Sequence, residues 1–185
     1  MAHTESTMLE LGTTAPDFVL TDVVTGNTVS RDHFKGSKAL LVFFICAHCP
    51  YVKHIEKALG QLGRDYATKP LGIVAISSND VVTHPADNPD GMRLQAQSLG
   101  FTFPYLYDEL QSAAHAYQAA CTPDFFLFDE NFKLIYRGEF DRSRPGNGVP
   151  VTGEDLRAAI DAALAGKPIP AGQRPSIGCN IKWKA

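Results

Sequence analysis

The chain has 185 residues, 44% of them hydrophobic and 20% charged, which is enough for one well-buried core and short for two independent ones. Its formal charge of -3 excludes the extended basic field that nucleic acid or an anionic lipid surface requires. Four cysteines are too few for a disulfide scaffold at this length, so a close pair among them points to reactivity or metal binding.

From the amino end, residues 1–12 lack the basic start and apolar stretch of a secretory signal, and no later segment offers the roughly 20 apolar residues that cross a bilayer. A cytoplasmic setting without membrane attachment is the expectation. Phe18, Val19 and Leu20, then Gly26-Asn27, then Val29, predict a small hairpin within residues 16–29 that caps the core. Residues 39–45 form an unbroken apolar run with β-branched and aromatic members, too short for a typical helix and suited to a strand buried on both faces. That strand runs directly into Cys46-Ala47-His48-Cys49. Beyond it, Val52, Ile55, Leu59 and Leu62 recur at helical spacing with Lys53, Glu56 and Lys57 opposite, which predicts an amphipathic helix ending near Gly63.

Residues 71–76 predict a second buried strand, and strand, helix, strand in that order indicates a right-handed parallel unit. Asn88-Pro89 has the form of an N-cap with proline at the first helical position, opening a helix through Met92, Ala96 and Leu99 that Gly100 ends. Residues 103–107 read as a strand, and Asp108 with Gln111 as a capping box for a helix to about Ala120. Residues 125–128 and 134–137 form an expected antiparallel pair. Thr152 is expected to cap a last helix with Leu156, Ile160 and Leu164 inward and Gly166 at its end. The loop 141–150 and the tail beyond Pro168 are the long irregular stretches. The expected whole is a single α/β domain over 1–185, a mixed central sheet flanked by helices, with a core of about 13–166 and an irregular tail 167–185.

A CxxC segment placed where a buried strand turns into a helix has a physical reason to be reactive. The free N–H groups and positive dipole end of the helix stabilise a thiolate, and the spacing lets the two sulfurs close on one another. One thiolate can then form a mixed disulfide with a substrate, and the second cysteine can resolve it. The alternatives are a zinc or copper site using Cys46 and Cys49 with His48 or Cys121, a thiol-dependent peroxidase on the same cysteines, and two unreactive core thiols. His48 inside the pair, once cationic, would favour thiolate over disulfide, placing the couple in the upper half of the span of about -270 to -120 mV known for such dithiols.

The strand, CxxC and helix, followed much later by Thr122-Pro123 ahead of the strand at 125–128, resemble the thioredoxin superfamily. That resemblance implies a thioredoxin-like fold, a cis Thr122-Pro123 bond facing the cysteines, and a Thr122 main chain able to pair with a bound substrate strand. It is closest to the peroxiredoxin-like, AhpC/TSA-type redoxin branch and covers nearly the whole chain. The residues that carry it are Ala15-Pro16-Asp17-Phe18, Cys49-Pro50, the stretches 103–108 and 121–129, and Ser176-Ile177-Gly178-Cys179. By that similarity Cys49 occupies the peroxidatic position. Where peroxiredoxins place a threonine or serine and an arginine to align peroxide, however, this chain has Cys46 and the Thr122-Pro123 turn.

Peroxide cleavage without a positioned hydroxyl and guanidinium would lose most of its transition-state stabilisation, whereas disulfide exchange needs neither. The expectation is therefore a thiol-disulfide oxidoreductase with Cys46 as the more exposed attacking thiol and Cys49, deeper in the first helical turn, as the resolving one. Ala47, His48, Pro50, Thr122 and Pro123 shape the site. Cys121 and Cys179 are possible accessory thiols, Cys179 by folding back toward the site or pairing with Cys121. No cofactor or resident metal is expected. The expected partners are protein or small-molecule thiols and disulfides, with a thioredoxin-type or glutathione reductant, and neither nucleic acid nor membrane. Arg142 and Arg144 receive no role.

Overall fold

The structure, a computed structural model, describes residues 3–185; Met1 and Ala2, the start of the stretch read for a leader, lie outside the described residues. The strands are β1 (His3–Glu5), β2 (Val19–Asp22), β3 (Thr28–Ser30), β4 (Ala39–Phe44), β5 (Leu71–Ser77), β6 (Tyr105–Tyr107), β7 (Cys121–Thr122), β8 (Asp124–Asp129), β9 (Leu134–Gly138) and β10 (Ile177–Asn180). The α-helices are α1 (Pro50–Asp65), α2 (Pro89–Leu99), α3 (Ser112–Tyr117) and α4 (Glu154–Leu164). Among the described residues, no helix is long and apolar enough to cross a membrane.

The apolar run of β4 goes to the middle because a strand with no polar face is stable only where both faces are covered. The large sheet has the order β3-β2-β6-β5-β4-β8-β9, parallel across β6, β5 and β4 and antiparallel elsewhere. Alternate β4 residues serve opposite layers. Leu41 and Phe43 pack with Val52, Ile55, Leu59 and Leu62 of α1, Met92 of α2, and Leu156 and Ile160 of α4. Leu40, Val42 and Phe44 pack with Phe18, Ala114 and Tyr117 of the opposite layer. Each such side chain contributes about 1.5–3 kcal/mol on burial, so β4 and its two layers hold the end of the strand, and the cysteines after it, in one position. This is the thioredoxin-like α/β arrangement.

Asn88 caps α2 as expected, its side chain accepting from Gly91 N at 2.8 Å, and Gly100 ends the helix at φ 63°. The hairpin covers one side of the core with Phe18 and Val29 and, because β2 also pairs with β6, extends the large sheet. Other expectations are altered by tertiary contacts. Asp108 and Gln111 form no capping box. Gln111 is the N-cap of α3 at φ 59°, and its amide donates to Ser78 O at 2.6 Å and Lys182 O at 2.8 Å. Asp108 accepts instead from Ser78 Oγ at 2.8 Å and Ala114 N at 3.0 Å. The helix therefore starts later than expected and stops at Tyr117, where Gln118 turns left-handed at φ 52°.

The N-cap position of α4 falls one residue later than expected, on Gly153, while Thr152 Oγ1 still accepts from Glu154 N, the first helical N–H, at 3.2 Å. Asp141 accepts from Thr152 N at 2.7 Å and Gly153 N at 2.6 Å and so fixes the approach to the helix from across the loop. The stretch after residue 166 is irregular apart from β10, whose partners β1 and β7 lie at the far end of the chain and in its middle. Ser6 N donates to Ser176 O at 2.9 Å, Ile181 N to Ala120 O at 3.1 Å, and Lys182 N to Asn79 Oδ1 at 2.9 Å, so the tail is tied down on both sides of β10. Trp183 stacks on His115 with ring centroids 4.3 Å apart.

Candidate functional site

Between the end of β4 and the start of α1 the chain has only five residues, and Cys46 and Cys49 are both among them. Cys49 is the N-cap residue of α1, and Pro50 stands at the first helical position, where a missing N–H removes no helical bond. The turn from β7 to β8, with a cis Thr122-Pro123 bond, faces the pair. Cys46 Sγ lies 3.6 Å from Thr122 Oγ1, and Cys49 Sγ lies 3.3 Å from Thr122 O. Cys179 Sγ on β10 is 2.9 Å from Cys49 Sγ.

The greater exposure expected of Cys46 is absent. Both cysteines are fully buried. The Thr122 main-chain edge, expected to receive a substrate strand, already holds β10 in antiparallel register, Cys179 opposite Thr122 and Asn180 opposite Cys121. Cys179 thus folds back onto Cys49 and does not pair with Cys121, whose thiol is buried and directed at Pro123 O, 3.6 Å away.

Sequence reasoning missed Asp87. Its side chain is fully buried in a 3-10 turn after β5 and accepts from Ala47 N at 2.9 Å, His48 N at 3.0 Å, Asn79 Nδ2 at 2.8 Å and His48 Nδ1 at 2.5 Å. A carboxylate held by this many donors orders the loop between the cysteines and sets the ring of His48. His84 stacks on that ring with centroids 4.8 Å apart, and Gln95 donates to Cys46 O at 3.2 Å. The one sequence signal for Asp87 was topological: residues that follow β5 must lie beside those that follow β4, at the carboxyl ends of parallel strands where sites form.

The sulfurs differ electrostatically. Cys49 is lowered to about 4, first by the hydrogen bond from Cys46, with Cys179, Thr122 and the Val52 N–H adding to the pull against burial. Cys46 is pushed well above the ordinary thiol range by its bond with Cys49, by burial and by the Asp87 charge. Cys179 is pushed up to about 12 by burial and by Cys49, and burial with the Asp124 charge pushes Cys121 up. The two shifts run in opposite directions, Cys49 toward the thiolate and Cys46 toward the thiol.

For a cation, Cys46, His48 and Asp87 offer ligand atoms within 4.8 Å of one another. This is a mixed soft and hard donor set, different from the Cys46, Cys49, His48 and Cys121 combination, and a cation there would compete with the His48–Asp87 bond. Arg137, on β9, is fully buried, bonded to Asp124 and to Phe125 O at 3.0 Å, with its guanidinium 3.8 Å from the Phe126 ring centroid. Its guanidinium charge opposes the upward shift of Cys121. Arg142 pairs with Glu139 at 3.3 Å and Arg144 pairs with the same carboxylate.

Residues 10–156 match the family model described as Redoxin. The whole chain is similar to the crystal structure of an uncharacterized conserved protein from Geobacillus kaustophilus, at 53% identity and a TM-score of 0.97, covering 100% of this chain and 97% of that one. A hypothetical protein from Sinorhizobium meliloti is 52% identical with a TM-score of 0.96, covering 98% of this chain and 99% of that one. The chain is also 30% identical to Thiol-disulfide oxidoreductase ResA of Geobacillus kaustophilus over 129 residues, 69% of this chain and 68% of that protein.

Proposed function

Starting from the premise that the chain belongs to the Redoxin family and is a thiol-disulfide oxidoreductase, we propose that Cys46 and Cys49 are its exchanging pair, with Cys49 attacking and Cys46 resolving. The observation that carries this is the placement of Cys49 at the amino end of α1, where its thiol is drawn toward the thiolate while that of Cys46 is drawn away from it. Helix N–H groups and the neighbouring thiol stabilise a thiolate there, and the thiolate is the nucleophile of disulfide exchange.

In the forward direction the Cys49 thiolate attacks one sulfur of a substrate disulfide. A Cys49–substrate bond forms, the substrate S–S bond breaks, and the first leaving sulfur takes a proton from solvent. Cys46 then loses its proton and attacks Cys49 Sγ, expelling the second substrate thiolate and leaving a Cys46–Cys49 disulfide. Two electrons pass from the dithiol to the substrate, and the reverse sequence passes a disulfide outward. The Cys46 proton passes to the departing substrate thiolate or to solvent, while His48, whose Nδ1 donates to Asp87, stands 3.8 Å from Cys46 Sγ and orders the loop beside it. Protein or small-molecule disulfides are the substrates of this reading, and a thioredoxin-type or glutathione reductant would restore the dithiol.

A peroxidase would use the same Cys49 thiolate, but Arg137 is committed to Asp124 and is not available to polarise a peroxide. The attack order is tested with oxidised glutathione on two double variants, Cys179 being removed from both because it touches Cys49. Cys46→Ser/Cys179→Ser is expected to retain one glutathione on Cys49, and Cys49→Ser/Cys179→Ser none at neutral pH. The opposite labelling would assign the attack to Cys46.

A further inference from the structure

We propose that Cys179 is a third exchanging thiol of this site, and that β10 is a built-in occupant of the position a substrate strand takes, latched by a Cys49–Cys179 disulfide. The inference rests on the reading of Cys49 as the attacking thiol. Three independent observations carry it. The first is the 2.9 Å approach of the two sulfurs, closer than van der Waals contact and reachable as a bond of about 2.05 Å by a small movement of either side chain. The second is register: β10 runs antiparallel to β7 with Cys179 opposite Thr122, so the strand presents its cysteine to Cys49 from the edge beside Pro123. The third is Gly178. A Cβ there would lie 2.0 Å from Thr122 O and 2.7 Å from Thr122 C, so no other residue lets a strand lie this close to the turn.

The outer side of β10 is closed by β1, with His3 opposite Cys179, and His3 contacts the Tyr51 hydroxyl of α1. The strand is therefore clamped from both edges, with the buried Cys49 sulfur against its Cys179. An external disulfide reaches Cys49 when β10 lifts from the Thr122 edge. When β10 returns, Cys179 gives up its proton and its sulfur attacks Cys49 Sγ. The Cys49–substrate bond breaks, the Cys49–Cys179 bond forms, and the departing substrate thiolate takes up a proton. Attack of Cys46 on Cys49 Sγ then converts this bond to Cys46–Cys49 and returns Cys179 as a thiol. That last exchange moves a disulfide within the chain and needs no further oxidant. In the latched isomer the substrate edge is covalently closed, which gives the oxidised protein a shielded form and an open form.

The experiment uses the full chain carrying Cys46→Ser. After treatment with oxidised glutathione, non-reducing digestion and mass spectrometry are expected to show the Cys49 peptide linked to the Cys179 peptide. Two glutathione thiols are released per chain and none is retained. The unaltered chain, oxidised briefly and quenched in acid, is expected to yield the same linked peptide, which removes dependence on how the variant folds. Glutathione retained on Cys49 with Cys179 still open to alkylation would overturn the role of Cys179 while leaving Cys49 as the attacking thiol. Absence of label and of linkage in both Cys46→Ser and Cys46→Ser/Cys179→Ser would instead overturn the attack by Cys49, and the latch with it.

Discussion

Replacing Gly178 by alanine perturbs the strand over the cysteines without touching any reacting atom. The added Cβ would lie 2.0 Å from Thr122 O, where ordinary contact begins near 3.4 Å, and the atoms it meets are backbone of the turn, which is held by β7 and β8. The strand must back away by about 1.4 Å, well beyond the radial gap that forfeits a quarter to a half of a contact's energy. Over-packing of this kind costs about 1–3 kcal/mol. Weakening the β7–β10 pairing adds about 1 kcal/mol, the net worth of a hydrogen bond. Because β10 can detach while the large sheet stays intact, the cost falls on the closed position of the strand and not on the fold. A penalty of about 2–4 kcal/mol shifts the opening equilibrium by roughly 30-fold to 1,000-fold.

The assay is iodoacetamide labelling of Cys49 at neutral pH, read alongside amide exchange. Gly178→Ala is expected to raise the labelling rate at least about 30-fold, until opening is complete, and to raise exchange at residues 177–181, with the amides of β4 unchanged. Equal labelling rates in the variant and the unaltered chain would refute the reasoning, since β10 would then not govern access to Cys49. Faster exchange in β4 as well would show that the damage had spread beyond the strand.

Asp87→Asn removes the charge that helps hold the Cys46 proton, so in a Cys49→Ser/Cys179→Ser background the pH midpoint for alkylating Cys46 is expected to move down, and an unchanged midpoint would exclude Asp87 as a cause; one lost charge-assisted bond should also lower stability by about 1–3 kcal/mol. With Cys49 held at about 4, its alkylation should stay flat from neutral pH down to about pH 5 and fall with a midpoint near 4. The sign for stability follows: a thiol depressed in the fold contributes fully above the unfolded value of about 8.5 and loses that contribution as pH falls toward 4. Cys46 and Cys179, whose values are raised, contribute below that unfolded value and lose it as pH rises past it, so chemical denaturation should find a maximum near pH 8–9 attributable to these thiols and abolished by replacing all three. Arg137→Met strands a buried Asp124 carboxylate and is expected to cost about 3–5 kcal/mol in denaturant unfolding, with most of it recovered in Arg137→Met/Asp124→Leu; a loss below about 1 kcal/mol would show the pair to be structurally idle.

The resemblance carried by 103–108, 121–129 and 176–179 extended beyond the strand and helix patterns to the cis bond at Thr122-Pro123, which no local propensity specifies. It carried the family assignment as well. It also led astray in one respect, since an open Thr122 edge was expected where the chain supplies its own strand.

Local order was written in the residues themselves. The apolar run of β4, the 3.6-residue spacing of Val52, Ile55, Leu59 and Leu62, the Asn88 cap and the CxxC at a strand-to-helix junction each depend on neighbours a few positions away. Such patterns are legible because burial and capping repeat with the period of the backbone. The charge distribution of the site was not written there. Asp87 reaches the loop across 39 residues of sequence, Cys179 reaches Cys49 across 130, and Gln111 gives its side chain to Lys182 across 71, leaving its own helix uncapped by it. Which thiol keeps the proton, and what covers it, depends on partners with no sequence periodicity linking them to the cysteines, so only the folded chain decides it.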